Sequence, residues 1–233
     1  MTIDPLGDGV SEVRLIQKTG GDLSVVNSAR VSYAKRVDEV SERDKKLIAY
    51  LADHDHGTPM EHNILTFEIK APIFVFREWH RHRVGWSYNE WSMRYLEGGK
   101  DIDIECYVPK ELRRQAKVNK QASGESFENQ ELTDVIINSY VMSVVSYKKL
   151  IAGGLAKELA RSVLPVGMYS AMWASCNLRS LLHFLKLRLG SDAQWEIRQY
   201  AKALLKLAEP VFPVSISNWR EKHGYNPEGE KGQ

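Results

Sequence analysis

At 233 residues the chain is long enough for one large domain with a substantial core. Its 32 Lys+Arg against 30 Asp+Glu leave a formal charge of +2, without the basic excess of a protein that works mainly by neutralising phosphates along nucleic acid, so any basic patch is local. Two cysteines in unrelated contexts, ECYVP at Cys106 and ASCNLRS at Cys176, give neither a metal spacing nor a disulfide framework; with no basic leader and no apolar run near about 18 residues, the expectation is a cytoplasmic protein that neither enters nor crosses a membrane.

Asp22 to Lys35 and Glu42 to His54 read as short helices, the second capped by Ser41 with Asp44 three residues on. HNILTFEIKAP alternates Leu65, Phe67 and Ile69 with Thr66, Glu68 and Lys70, the period of a strand with one buried face. Pro72 then opens a helix through IFVFREWHRHR, succeeded by a loop. Lys110 to Gln130 is polar and reads as an exposed, mobile connection with little chemistry.

Leu132, Ile136, Tyr140, Val144, Tyr147 and Ile151 recur at three- and four-residue spacing, marking a long scaffold helix that ends near Gly153-Gly154. A further helix starts from Leu155, and then comes CNLRSLLHFLKLRLG, which places Leu178, Leu182, Leu185 and Leu189 on one stripe. Arg179 with His183, and Asn177 with Arg188, fall on two other sides. QWEIRQYAKALLKLAEPVF reads as the final helix. The fold class is α/β (α+β), a helix-rich single domain over residues 1–220 around a small antiparallel sheet, with a flexible tail over 221–233.

The chemistry concentrates in Arg81–Tyr95, RHRVGWSYNEWSMRY. Arg81, Arg83 and Arg94 are interleaved with Trp86, Tyr88, Trp91 and Tyr95, and Glu90 is the only carboxylate among them. Such a loop reads either as a solvated or nucleic-acid-binding surface or as a site for a phosphate or diphosphate, whose oxygens suit guanidinium forks. The turn HDHGTPMEH, with His54, His56 and His62, lacks a zinc spacing, and no metal is expected. There is no G-x-S-x-G elbow, no G-x-G-x-x-G and no Walker loop, so a nucleotide cofactor is not held in a Rossmann or P-loop manner.

RHR succeeded by S-x-N-E-x-S-x-R-Y resembles the signature of the flavin-dependent thymidylate synthases. ARVSY (29–33), HGTPMEH (56–62), TFEIKAPIFVFREW (66–79), ARSVLP (160–165) and NLRSLLHFLKLR (177–188) agree with that family in the same order. The resemblance implies an α/β fold around a small sheet and a homotetramer with sites shared between subunits. It also implies FAD, NADPH as reductant, methylenetetrahydrofolate as carbon donor and dUMP as substrate. Ser32, His56, Thr58, Glu61, Arg81, His82, Arg83, Asn89, Glu90, Asn177, Arg179, His183 and Leu187 resemble the flavin-contacting positions. Glu78, Arg81, Glu90, Ser92, Arg94, Arg161 and Arg188 resemble the dUMP-binding set, Arg188 stabilising charge that develops on the pyrimidine and Ser92 orienting it; Tyr95 falls in the folate region.

Three departures stand out. Eight residues instead of seven separate RHR from Ser92, Glu78 stands where glutamine is expected, and Asp192 stands where histidine is common. A carboxylate at 78 beside a dianionic nucleotide needs pairing with Arg77 or Arg81, or protonation. These departures keep open a pyrimidine-nucleotide hydroxymethylase or a poor synthase of the same fold. A nucleic-acid-binding module and a metal-dependent hydrolase acting through the histidine turn are the more distant alternatives.

Overall fold

The structure is a computed structural model that describes residues 1–92, 103–117 and 123–226. Two strands open the chain, β1 (Thr2–Ile3) and β2 (Glu12–Thr19), and lead to helix α1 (Asp22–Arg30). That helix stops five residues short of Lys35: Val31–Tyr33 tightens into a 3-10 turn and Ala34 adopts a left-handed conformation. Helix α2 (Glu42–Asp53) starts at the expected cap, with Ser41 and Asp44 exchanging backbone N–H groups in a reciprocal capping box. A one-turn helix, α3 (Thr58–Glu61), then leads into β3 (Ile64–Pro72).

In β3 the alternation buries Leu65, Phe67, Ile69 and Ala71 completely on one face. Pro72 is extended and ends the strand, and helix α4 (Ile73–Trp79) begins at the next residue. It is shorter than its apolar pattern suggests, because the His82 amide turns back to the Trp79 carbonyl at 2.9 Å and Gly85 takes φ +67. Val84 in this turn is 88% exposed. The expected loop is instead a strand beyond this turn: Trp86–Glu90 forms β4, with Trp86 turned to the core and Ser87 and Asn89 exposed.

The polar connection also contains structure, since Leu112–Gln115 (β5) and Ser123–Phe127 (β6) form an antiparallel hairpin. Helix α5 (Gln130–Ala152) runs as expected to Gly153, but only Tyr147 along it is buried. Val135, Val141, Met142 and Val145 are each more than half exposed, so this helix is no simple scaffold within one chain. The expected helix after Leu155 is a single turn, α6 (Lys157–Ala160), plus a 3-10 turn at Arg161–Val163.

Strand β7 (Tyr169–Asn177) lies between β3 and β4 and passes straight into helix α7 (Leu178–Arg188). The sheet is antiparallel in the order β1-β2-β3-β7-β4. Helix α8 (Trp195–Ala208) matches its pattern, and a further helix, α9 (Pro213–His223), extends into the residues read as tail. Pro213 at its first turn is well placed to open it.

Helices α4, α7 and α8 cover one face of the sheet, where Trp79 stacks on Phe184 at 4.9 Å and meets Tyr200 edge-on at 6.0 Å. The leucine stripe of α7 lies in this core, with Leu178 and Leu185 fully buried. On the opposite face Arg14 pairs with Glu68, which also accepts from the Trp173 indole at 3.3 Å; Trp173 is 47% exposed and sits opposite Asn89 on β4. One sheet face is thus core, the other polar and open. No helix among the described residues is long and apolar enough to cross a membrane.

Candidate active site

Helices α4 and α7 each leave the end of a strand, and their C-terminal turns meet. Arg188, the last residue of α7, donates from Nη1 to Glu78 Oε2 at 2.8 Å, from Nη2 to the Glu78 carbonyl at 2.9 Å, and from Nε to His82 Nε2 at 2.9 Å. Three donors of one fork are fixed by two residues of a single turn. The carboxylate of Glu78 is therefore paired, not with Arg77 or Arg81 but with a partner 110 residues away in the chain.

His82 is 7% exposed and packs edge-on against Phe184 at 4.7 Å, with His183 at 6.2 Å. Burial, reinforced by the charge of Arg188 and then by His183 and Arg81, lowers its pKa from 6.5 to about 4. Because Nε2 accepts from Arg188, the ring is neutral with its proton on Nδ1. Between pH 6.5 and about 4 the unfolded chain takes up a proton that the folded chain refuses, so stability falls as pH drops through that window. We expect a loss on the order of 2 kcal/mol after solvent screening, seen as a falling urea midpoint. His82→Gln should flatten that slope, and an unchanged slope in the variant would remove His82 as its source.

A second cluster lies at the other end of α7. Arg179 Nη1 donates to Glu61 Oε1 at 2.6 Å, and the guanidinium lies so close to Gly57 that a Cβ there would come within 2.4 Å of Nε. Glycine in the histidine turn thus lets the arginine lie flat against the backbone. Thr58 and His56 flank this contact and are exposed. Between the clusters, Arg179, His183 and Leu187 form one outward stripe about 12 Å long. Leu187 is 47% exposed, an apolar rung among polar ones.

Other expected residues serve the scaffold or stand apart. Asn177 caps α7, its Oδ1 accepting from the Ser180 amide at 2.8 Å, and its side chain packs against Gly85. Arg81 and Arg83 are exposed at the turn beside His82. Asn89 and Glu90 project from β4, Ser92 lies just beyond it, half-buried, and Asp192 is exposed between α7 and α8. Ser32 and Arg161 lie exposed on the two 3-10 turns, outside both clusters. Arg94 and Tyr95 lie outside the described residues. Sequence reasoning missed the Glu78–Arg188 bond and Trp173 beside Asn89; only the β4 and β7 register brings that pair together.

Among the described residues no group of three His, Cys, Asp or Glu is arranged to hold a metal, and His54 stacks on Tyr50 at 4.0 Å. Burial pushes both thiols up, so neither Cys106 nor Cys176 is a ready nucleophile. On α7 and the turns beside it stand Arg81, Arg83, Arg179, Lys186 and Arg188 against Glu61, Glu78 and Glu90, five cations to three carboxylates.

Residues 14–214 match the family model described as thymidylate synthase complementing protein. The flavin-dependent thymidylate synthase of Thermosipho melanesiensis is 43% identical over 210 residues, 89% of each chain. The chain belongs to the flavin-dependent thymidylate synthase family. The enzyme of that name from Thermus thermophilus is 40% identical over 221 residues, covering 95% of this chain and 79% of its own. Among solved structures, the UMP/dUMP methylase PolB of Streptomyces cacaoi bound with 5-Br dUMP superposes with a TM-score of 0.79 at 36% identity, covering 90% of this chain and 94% of that one.

The residues present fit a flavin of this family. Exposed guanidinium groups at Arg81 and Arg83 suit a diphosphate, the Arg179–His183–Leu187 stripe offers polar and apolar rungs to an extended ligand, and the exposed Trp173 offers a flat surface beside Asn89.

Proposed function

We propose that the chain is a flavin-dependent thymidylate synthase that converts dUMP to dTMP, with FAD as cofactor, NADPH as reductant and methylenetetrahydrofolate as carbon donor. The observation that carries this reading is Arg188 held in place by Glu78 and His82 at the turn that also bears the exposed Arg81 and Arg83. FAD, when bound, supplies redox chemistry and relays the one-carbon unit. Every other role falls to side chains of this chain and its partners.

Arg81, His82, Arg83, Asn89 and Glu90, together with His56, Thr58, Glu61 and the α7 residues Asn177, Arg179, His183 and Leu187, would hold the flavin. Ser32 completes the set. Arg94 and Arg161 receive the phosphate of dUMP, with Arg81, while Ser92 and Glu90 orient the nucleotide. Arg188 donates to a pyrimidine oxygen and stabilises the negative charge that develops as C5 becomes nucleophilic. Glu78 and His82 fix the fork before substrate arrives, so little reorganisation is left for the reaction step. Tyr95 borders the folate.

The protein is read as a cytoplasmic homotetramer with shared sites. Support comes from α5, whose apolar side chains are uncovered, and from the groove between α5 and Ile104–Val108, lined by Cys106, Tyr140 and Val144. Arg161 sits on the turn packed against that helix, apart from the α7 clusters, as expected of a residue that serves a neighbour's site.

A same-fold hydroxymethylase is the second reading, motivated by the carboxylate of Glu78 on Arg188, which offsets the fork's positive charge. The test is a visible spectrum of protein supplied with FAD, desalted and titrated with dUMP, and then mass analysis of the product. Retained flavin, bands that shift with dUMP and a 5-methyl product are expected. A 5-hydroxymethyl product would favour the second reading, and a colourless folded protein indifferent to dUMP would remove both.

A further inference from the structure

Tyr88 belongs to neither the flavin set nor the dUMP set, yet its hydroxyl reaches the turn that carries three of their members. The phenol donates to the His82 carbonyl at 2.7 Å, with the Trp79 carbonyl further off at 3.3 Å. We infer that Tyr88 is a positioning residue of the active site, which sets the peptide plane between His82 and Arg83 and so aims Arg81, His82 and Arg83 together, on the reading of these three given above as flavin and dUMP contacts.

A peptide unit is planar, so an anchored carbonyl oxygen orients the following amide and the Cα beyond it. Here the oxygen is that of His82 and the Cα that of Arg83. His82 is held at two further points: its amide donates to the Trp79 carbonyl at 2.9 Å, and its ring Nε2 accepts from Arg188 Nε at 2.9 Å. The amide bond closes the turn locally, and the ring bond leaves rotation of the peptide beyond His82 open. The Tyr88 bond supplies what both lack, a fixed direction for the carbonyl.

The donor itself is rigid. Tyr88 lies on β4, paired with Ala174 of β7, and is half-buried, its ring stacked on Trp86 at 5.8 Å and 9° and edge-on to His80 at 5.0 Å. Burial raises its pKa, with Cys176 adding to the shift, so the phenol keeps its proton and donates. Asn89 and Glu90 come next on the same strand. One hydroxyl therefore ties the strand that presents Asn89 and Glu90 to the turn that presents Arg81 and Arg83. The covalent link between them is the exposed bend through Val84 and Gly85, and the Tyr88 bond closes it into a ring.

The test compares Tyr88→Phe with Tyr200→Phe. Both remove one phenol hydroxyl that donates to a backbone carbonyl and keep a packed ring; that of Tyr200 reaches Lys70 on β3 at 2.8 Å, outside the turn. Hydrogen exchange read by mass spectrometry on the flavin-free protein should speed up at residues 81–85 in Tyr88→Phe only, by about fivefold or more, the equivalent of one hydrogen bond. After reloading with FAD, the same variant should bind flavin about fivefold more weakly and lose about fivefold in kcat for dUMP, with a smaller dUMP-induced band shift at saturating flavin and unchanged circular dichroism. Tyr200→Phe should match the wild type in flavin affinity, band shift and kcat, although both variants melt at a lower temperature. Unchanged exchange at 81–85 in Tyr88→Phe would overturn the assignment, and so would faster exchange with wild-type flavin affinity and kcat. Equal losses in Tyr200→Phe would overturn it as well, by reducing the effect to general destabilisation. A wild-type protein that holds no flavin would remove the reading of the active site instead, and the exchange comparison would still decide whether Tyr88 fixes the turn.

Discussion

Arg188→Ala is expected to lower dUMP turnover by about 10²–10³-fold, the effect of deleting one preorganised donor from a developing oxyanion, while bound flavin stays near the wild-type level. The truncation also strips Glu78 of its ion pair and His82 Nε2 of its donor. Leaving such groups unpaired costs about 1–3 kcal/mol, so the melting temperature should drop as well. Two companion variants separate the roles. Arg188→Lys restores a charge without the fork and should recover only part of the activity. Glu78→Gln keeps an oxygen facing Nη1 but removes a negative charge next to a dianionic substrate, so dUMP should bind more tightly with the fork still in place. Steady-state kinetics with single-turnover flavin oxidation reads all three. Turnover of Arg188→Ala within tenfold of wild type would remove Arg188 from the chemistry.

On the proposed reading of a homotetramer with shared sites, Val141→Asp is expected to dissolve the assembly and, with it, the flavin site. Val141 is 53% exposed in the single chain, among Val135, Met142 and Val145, on a helix about 35 Å long. A carboxylate there costs the isolated chain almost nothing. In an interface it must be desolvated in every copy, at several kcal/mol each. Light scattering should report smaller species, circular dichroism an intact helical fold, and absorption a loss of flavin. A variant that assembles normally would show that this face is not the contact. One that dissociates yet keeps its flavin and activity would show that the sites are not shared.

Helices α2, α7 and α8 were legible because their signals are local. The Ser41–Asp44 capping box, the leucine stripe of α7 and the pattern of α8 depend on residues within a few turns of one another. Strand β7 was not legible, because YSAMWASCN sits between β3 and β4 and is covered over most of its length, with Ser and Ala where a strand usually advertises itself with branched residues. In β4 the alternation of Trp86 and Tyr88 with Ser87 and Asn89 was present, but the surrounding arginines and glycine read as a loop. Most of the candidate site came from resemblance rather than from pattern. What neither supplied is pairing at long range: antiparallel β3 and β7 launch α4 and α7 from opposite ends of the sheet, and Glu78 and Arg188 meet only because the C-terminal turns of those two helices come together.

Neither of those helices is reached through a connecting segment: β3 ends at Pro72 and α4 starts at Ile73, and β7 ends at Asn177 and α7 starts at Leu178. Lengthening either junction by one residue would rotate the next helix by about 100° and carry Glu78 or Arg188 away from its mate. Descendants of this chain can therefore change the chemistry at these positions by exchange of one side chain for another, but not by insertion. The turn Arg83–Gly85 is the exception, a place where length can drift without disturbing either helix.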